Sequence, residues 1–163
     1  MISLMSLLCV ITGLFSNGQK VTGKDWVQVT KVVYCHHDAS VAPDYYRSYK
    51  VTVTESNIEV AVSNYSETLL TKQFPMTAAD FKRFVGKLQD TGVKKVKEKV
   101  SAATGCTSES LELYKGSAPF FSGYKTCGGG NLKLARGRLS TLIEECVPGL
   151  EELVEQTRGH ESQ

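Results

Sequence analysis

The sequence predicts an α+β fold in which an antiparallel sheet of about six or seven strands carries two helices on one face. Short runs rich in β-branched residues alternate apolar and polar positions at 49–55, 57–63 and 67–74, as half-buried strands do. Segments beginning at Thr77 and near Asn131 instead repeat apolar residues every three or four positions, which is helical spacing. The predicted order is four strands, a helix, three strands and a helix.

The first predicted strand covers residues 26–35, which are rich in β-branched and aromatic residues. Alternation places Val27, Val29, Val33 and Cys35 on one face, and we expect that face to point into the core. A polar loop over residues 36–47, with turn chemistry at Pro43-Asp44, leads to the next strand.

The next three strands form a predicted meander. A turn at Ser56-Asn57 would set Val53 opposite Val60 and Val51 opposite Val62. A second turn is predicted over residues 64–66.

The first helix has clear boundary signals. Thr77 is a predicted N-cap with Asp80 three residues later, and Gly92 is expected to end the helix. The apolar residues between them share one face and are predicted to be core residues: Phe81, Phe84, Val85 and Leu88.

A long hairpin is predicted between two cysteines. Gly116-Ser117 suits a type II′ turn because a glycine in first position accepts a positive φ. Uninterrupted pairing from that turn sets Cys106 opposite Cys127, at a non-hydrogen-bonded position where a disulfide can form. A bulge would shift this register by one residue.

The last helix is expected to start near Asn131, after a flexible joint at residues 128–130. Pro148-Gly149 should kink or break the helix after Val147. Its predicted inward stripe contains Leu139, Leu142, Ile143, Cys146, Leu150 and Leu153.

The N-terminus resembles a secretory signal peptide. Residues 2–15 carry no charge and are too few to span a bilayer, and small residues at 16–18 predict cleavage after Gly18. We therefore expect a signal peptide over residues 1–18 and a single domain over residues 19–163. A buried N-terminal helix or strand and lipid attachment at Cys9 are the alternatives.

Cleavage would leave four cysteines, an even number typical of exported proteins with disulfides. The hairpin selects a Cys106–Cys127 bridge, so exclusion predicts a second bridge between Cys35 and Cys146.

The segment Cys35-His36-His37-Asp38 contains the residue types of a zinc site or a Cys-His nucleophile. Adjacent strand residues point to opposite faces, so His36 and His37 are not expected to share a metal ion. A glycine-rich stretch at 128–131 lacks the lysine of a phosphate-binding loop. The sequence therefore predicts no metal, no cofactor and no catalytic residue.

Charge is unevenly distributed along the chain. Residues 72–99 hold eight basic and three acidic side chains, whereas residues 139–163 hold six glutamates and one arginine. The basic segment, with Lys94, Lys95 and Lys97, is a candidate surface for an anionic partner, and two solvated faces are the alternative. No aromatic residues alternate with these lysines, so nucleic-acid binding is not expected.

Four aromatic residues are candidate partner anchors: Tyr45, Tyr46, Phe121 and Tyr124. Core packing is the alternative for Phe121. We expect an exported, non-enzymatic protein of the periplasm or extracellular space, with a protein or cell-envelope partner and no transmembrane span. The alternatives are an inhibitor of an extracellular or periplasmic enzyme, and a small hydrolase or metal-dependent enzyme that uses Cys35, His36 and His37.

Overall fold

The computed structural model describes residues 20–39, 45–65, 67–99 and 105–158, so the predicted signal peptide and the Pro43-Asp44 turn lie outside the described residues. The α+β class with an antiparallel sheet is confirmed. Within the described residues the sheet has eight strands, in the order β4-β3-β2-β1-β6-β7-β8-β5, and four helices accompany it. The elements in chain order are α1 (Gly23–Trp26), β1 (Lys31–His37), β2 (Ser48–Thr54), β3 (Asn57–Ser63), β4 (Thr68–Pro75), α2 (Ala78–Asp90), β5 (Lys94–Lys99), β6 (Ser108–Lys115), β7 (Ala118–Thr126), β8 (Gly129–Lys133), α3 (Leu139–Cys146) and α4 (Leu150–Gln156).

One face of the sheet packs against the helices and forms the core. Apolar residues of all four helices share a single buried cluster with inward residues of the strands, among them Val32, Val51 and Leu111. We call the other side the open face. It carries Lys31, Cys35 and the other half-buried or exposed strand residues that alternate with the buried ones.

The prediction for the first strand is wrong about the residue at which the strand starts and about which of its faces points into the core. Thr22 and Asp25 form a capping box, so the first element of the described residues is the short helix α1, and β1 starts only at Lys31. Val32 and Tyr34 are the fully buried strand residues, whereas Val27 is 88% exposed. Cys35 therefore points to the open face, not into the core.

The meander is present, but its predicted first register is displaced by two residues. Val51 faces Val60 because the turn lies at residues 55–56, where the Thr54 hydroxyl accepts a hydrogen bond from the Asn57 N–H at 3.1 Å. A shift of two residues keeps each side chain on its face, so hydrophobic alternation alone does not distinguish the two registers.

The predicted features of α2 are confirmed. Thr77 accepts a hydrogen bond from the Asp80 N–H, the helix ends just before Gly92, whose φ is 65°, and the four predicted core residues are buried.

The long hairpin keeps the predicted turn and loses the uninterrupted register. Gly116 has a φ of 59°, and pairing follows the prediction as far as Tyr114 and Pro119. A bulge at Phe120 then shifts the ladder by one residue, so Leu113 faces Phe121. Cys106 and Cys127 lie just beyond the ladder and are still bridged, with Cα atoms 5.8 Å apart.

The predicted helix start at Asn131 is wrong, because residues 129–133 form the strand β8. Gly130 has a φ of 122°, and a Cβ atom there would lie 2.4 Å from the Tyr124 carbonyl oxygen, so glycine is required for β8 to approach β7. The helix starts at Leu139 and is broken at Pro148-Gly149, as predicted.

The predicted Cys35–Cys146 bridge is also wrong in this structure, since both residues are free thiols. Cys146 packs against the core on the helix side, whereas Cys35 lies on the open face of β1. The sheet separates the two sulfur atoms, and the error follows from the inverted face of the first strand.

Candidate functional site

The most exposed aromatic cluster lies at the end of the sheet where β1 ends and β2 begins. The rings of Tyr46 and Tyr65 stack with centroids 3.8 Å apart and an interplanar angle of 15°. His37 Nδ1 lies 3.3 Å from the Tyr46 hydroxyl, which forms a hydrogen bond with it. Tyr65 is 55% exposed. We call Tyr46, Tyr65 and His37 the tyrosine platform.

The strand registers bring these three residues together. Ser48 pairs with His37 on one side and with Ser63 on the other. Tyr46 lies two residues before Ser48 and Tyr65 two residues after Ser63, so each continues its strand to the same point. The displaced register predicted from the sequence did not place these two tyrosines opposite each other.

A buried arginine fixes the backbone beneath the platform. The Arg47 side chain donates to the Tyr46 carbonyl at 2.7 Å, to the Thr157 hydroxyl at 2.9 Å and also to the Thr157 carbonyl. The Asp38 carboxylate accepts a hydrogen bond from the backbone N–H of Arg47 at 3.2 Å and forms an ion pair with Arg158 at 3.3 Å. Tyr46 is thereby anchored to the end of α4, and the platform has a rigid base.

The surroundings of Tyr46 favour the neutral form of its hydroxyl. Burial raises the pKa of Tyr46, and the neighbouring Tyr65 and Asp38 raise that pKa further against a lowering effect of Ser48. A neutral phenol beside an imidazole and a second ring binds through apolar area and hydrogen bonds rather than through charge.

His36 lies on the opposite, helix-packed face, as the alternation predicts. Its ring stacks on Tyr49, with centroids 5.0 Å apart, and its Nε2 atom is 3.6 Å from an Asp38 oxygen. Burial raises the pKa of Tyr49 to about 12 and also raises the pKa of Tyr34. His36 and His37 are thus on different faces of the sheet. Across the described ranges, no group of three His, Cys, Asp or Glu side chains is arranged to hold a metal ion.

Cys35 lacks the environment of an activated nucleophile. Burial raises the pKa of its thiol, which outweighs the lowering effects of Ser110 and Lys50. A reactive cysteine needs the opposite shift, because the thiolate is the attacking species. The geometry therefore gives no support to the alternative enzyme that uses Cys35, His36 and His37.

The remaining aromatic candidates have different positions. Tyr45 is 65% exposed next to the platform, and Phe121 is 1% exposed, so the expectation that Phe121 contacts a partner is wrong. The Tyr124 hydroxyl donates to Glu98, and its N–H donates to the Asn131 side chain at 2.9 Å. Tyr124 therefore links β7 to the adjacent strand β8 and to β5, the strand beyond β8, and it is not part of the platform.

The basic segment does not form one patch. Lys72 lies on β4 and Lys94, Lys95 and Lys97 lie on β5, and these strands are the two opposite edges of the sheet. Lysines on an edge strand discourage pairing with another chain, which accounts for the composition of β5 without a partner.

None of the helices in the described part of the chain has the length and apolar character needed to cross a bilayer. Comparisons of the chain with protein families, with curated proteins and with solved structures find no match.

Proposed function

We propose that this chain is an exported binding protein that holds a protein or cell-envelope partner on the tyrosine platform. The observation that carries the proposal is the stacked Tyr46–Tyr65 pair, in which Tyr65 is 55% exposed and the half-buried Tyr46 is tied to α4 through its backbone. Tyrosine combines a large apolar area with a polar tip and few rotatable bonds, and it is enriched among residues that dominate binding energy.

Two further features support the proposal. The Cys106–Cys127 bridge is compatible with an oxidising compartment, where exported proteins fold. Arg47 holds the backbone of Tyr46 before any partner arrives, which lowers the entropy lost on binding.

The test replaces Tyr65 with the photo-crosslinking residue p-benzoylphenylalanine in cells that produce the protein. The matched position is Tyr114, which lies on the same open face at the far end of β1, opposite Lys31 and about 20 Å from His37. We expect a defined crosslinked product from position 65 and none from position 114. Crosslinking at neither position, or equally at both, contradicts the proposal.

Alanine variants then measure how much the platform contributes to binding of the partner. Tyr65→Ala should reduce recovery of the crosslink-identified partner by roughly tenfold or more, which is the loss expected at a binding hot spot. Tyr114→Ala should leave recovery within about twofold, because rim and remote residues contribute little.

A further inference from the structure

A groove runs between α2 and α3 on the helix side of the molecule. It consists of two adjoining cavities of about 350 Å³ and 460 Å³ that share Lys87, Leu142 and Glu145 in their walls. Volumes of this size are typical of small-molecule sites in proteins. We call the two cavities together the helix groove.

The two ends of the helix groove differ in chemistry. One end has no excess charge: its Asp80 and Arg83 pair with each other at 2.8 Å, and its apolar lining consists of Ile58, Phe74, Met76, Phe84, Leu142 and Pro148. We call it the apolar end. The other end contains Arg136 and Arg138, which are exposed and form no ion pair within the described residues. Asp90 and Glu145 also lie there, and Glu145 is already paired with Lys87 at 2.7 Å. The arginine end therefore keeps an excess of positive charge.

The Lys87–Glu145 ion pair limits the shape of an occupant. It joins α2 to α3 at the residues that the two cavities share. A helix about 10 Å wide would have to break this contact, so an occupant that leaves the ion pair in place is narrower than a helix. Leu142, the third shared residue, offers such an occupant an apolar contact where the two cavities meet.

We propose that the helix groove binds a single-chain anionic amphiphile, with its hydrocarbon chain at the apolar end and its anionic head beside Arg136 and Arg138. The groove follows α2 from Asp80 to Asp90, which is about 15 Å at the helical rise per residue. A twelve-carbon chain extends about 14 Å when each C–C bond advances it by about 1.25 Å. Dodecanoate is therefore the probe that matches the groove. This site is separate from the tyrosine platform.

Cys146 provides a reporter for the test, because its free thiol lines the apolar end of the groove. Cys35 is the other free thiol among the described residues, and it lies on the open face as an internal control. The purified protein is alkylated with iodoacetamide at pH 8.5, and peptide masses give the rate at each cysteine. We expect dodecanoate to slow alkylation of Cys146 at least fivefold and to leave the rate at Cys35 unchanged.

The position of the anionic head is tested with a ligand of opposite charge and with two double variants that make the same change in charge at different places. Dodecyltrimethylammonium has the same chain and the opposite charge, and it should not protect Cys146 at the concentration where dodecanoate does. In the double variant Arg136→Glu/Arg138→Glu, the dodecanoate concentration needed to protect Cys146 should rise about tenfold, because the charge-assisted contacts to the head group are lost. The matched variant is Lys24→Glu/Lys125→Glu, which makes the same change in charge at exposed lysines of α1 and β7. It should need the same dodecanoate concentration as the wild-type protein to protect Cys146.

Three results would overturn the inference: no protection by dodecanoate, equal protection by the cationic amphiphile, or equal weakening in both double variants. Protection by dodecyl phosphate as well as dodecanoate supports the shared chemistry and extends it to phosphate head groups. A Tyr65→Ala variant should keep normal protection of Cys146, so failure of the platform and failure of the groove are distinguishable.

Discussion

Arg47 is a charged side chain held in the interior, where it is 1% exposed. Within the described residues its guanidinium forms no ion pair, and the Tyr46 carbonyl and the hydroxyl and carbonyl of Thr157 accept its hydrogen bonds. Thr157 follows α4, so the cation also lies at the negative end of that helix dipole. Several weak interactions together balance the desolvation of one buried charge.

Removal of this side chain should be strongly destabilising. We expect Arg47→Ala to lower the free energy of unfolding by about 3 kcal/mol, because it empties a packed site and leaves buried acceptors without donors. Arg158→Ala is the matched control, since Arg158 is a more exposed arginine whose ion pairs contribute about 1 kcal/mol or less. Urea denaturation of both variants measures the difference. Equal losses would mean that Arg47 acts only as a surface charge.

At the scale of elements, local signals predicted most of the structure. The N-cap of α2, the turn at Gly116 and the break at Pro148 depend on backbone preferences that the residues themselves set. The same kind of signal was present at Thr22 and Asp25, where a capping box starts α1, and it was missed because the β-branched run beside it favoured a strand.

The other features that differ from the prediction depend on contacts between distant segments. Strand β8 forms because Gly130 can lie against the Tyr124 backbone, which a glycine-rich stretch in isolation does not indicate. The bulge at Phe120 and the two-residue shift between β2 and β3 are likewise fixed by packing and turn geometry. The tyrosine platform was therefore only half predicted: Tyr46 was a candidate, but its stacking on Tyr65 required the true register.

The hairpin bridge gives a prediction at this scale. We expect reduction of Cys106–Cys127, or the double variant Cys106→Ala/Cys127→Ala, to lower the free energy of unfolding by about 3 kcal/mol, the value for a loop of some twenty residues. The matched double variant Cys35→Ala/Cys146→Ala should change it by less, because it breaks no bridge. For the cysteines of the described residues, non-reducing peptide mapping should show one disulfide and two free thiols. A Cys35–Cys146 peptide would contradict the structure and restore the pairing predicted from sequence.

At the scale of the whole molecule, the single sheet separates two environments. The helix side holds the buried Tyr34 and the half-buried Tyr49 and Cys146, whereas the open face carries Lys31, Cys35 and the tyrosine platform. Exported location remains a proposal, and a mature N-terminus at Gln19 by intact mass would support it.

The protein should therefore lose stability progressively above pH 9. Burial raises the pKa of Cys146 to about 11 and that of Tyr49 to about 12, from ordinary values of 9 and 10, so each group keeps its proton in the folded state after the unfolded chain has lost it. The stabilisation is complete below pH 9 and declines between pH 9 and 11 for Cys146 and between pH 10 and 12 for Tyr49.

Urea denaturation from pH 8 to 11 should show this decline, and the near-ultraviolet absorbance of tyrosinate should show a late-titrating group of tyrosines released only on unfolding. In the double variant Cys35→Ala/Cys146→Ala the decline should begin about one pH unit higher, near pH 10, because both thiols whose pKa burial raises are absent and tyrosine is then the first buried group to titrate. Tyr65→Phe is the control, since Tyr65 is exposed on the platform and should leave the onset unchanged. A flat profile through pH 11 would contradict the prediction, because it would mean that Cys146 and Tyr49 are as well hydrated in the folded protein as in the unfolded chain.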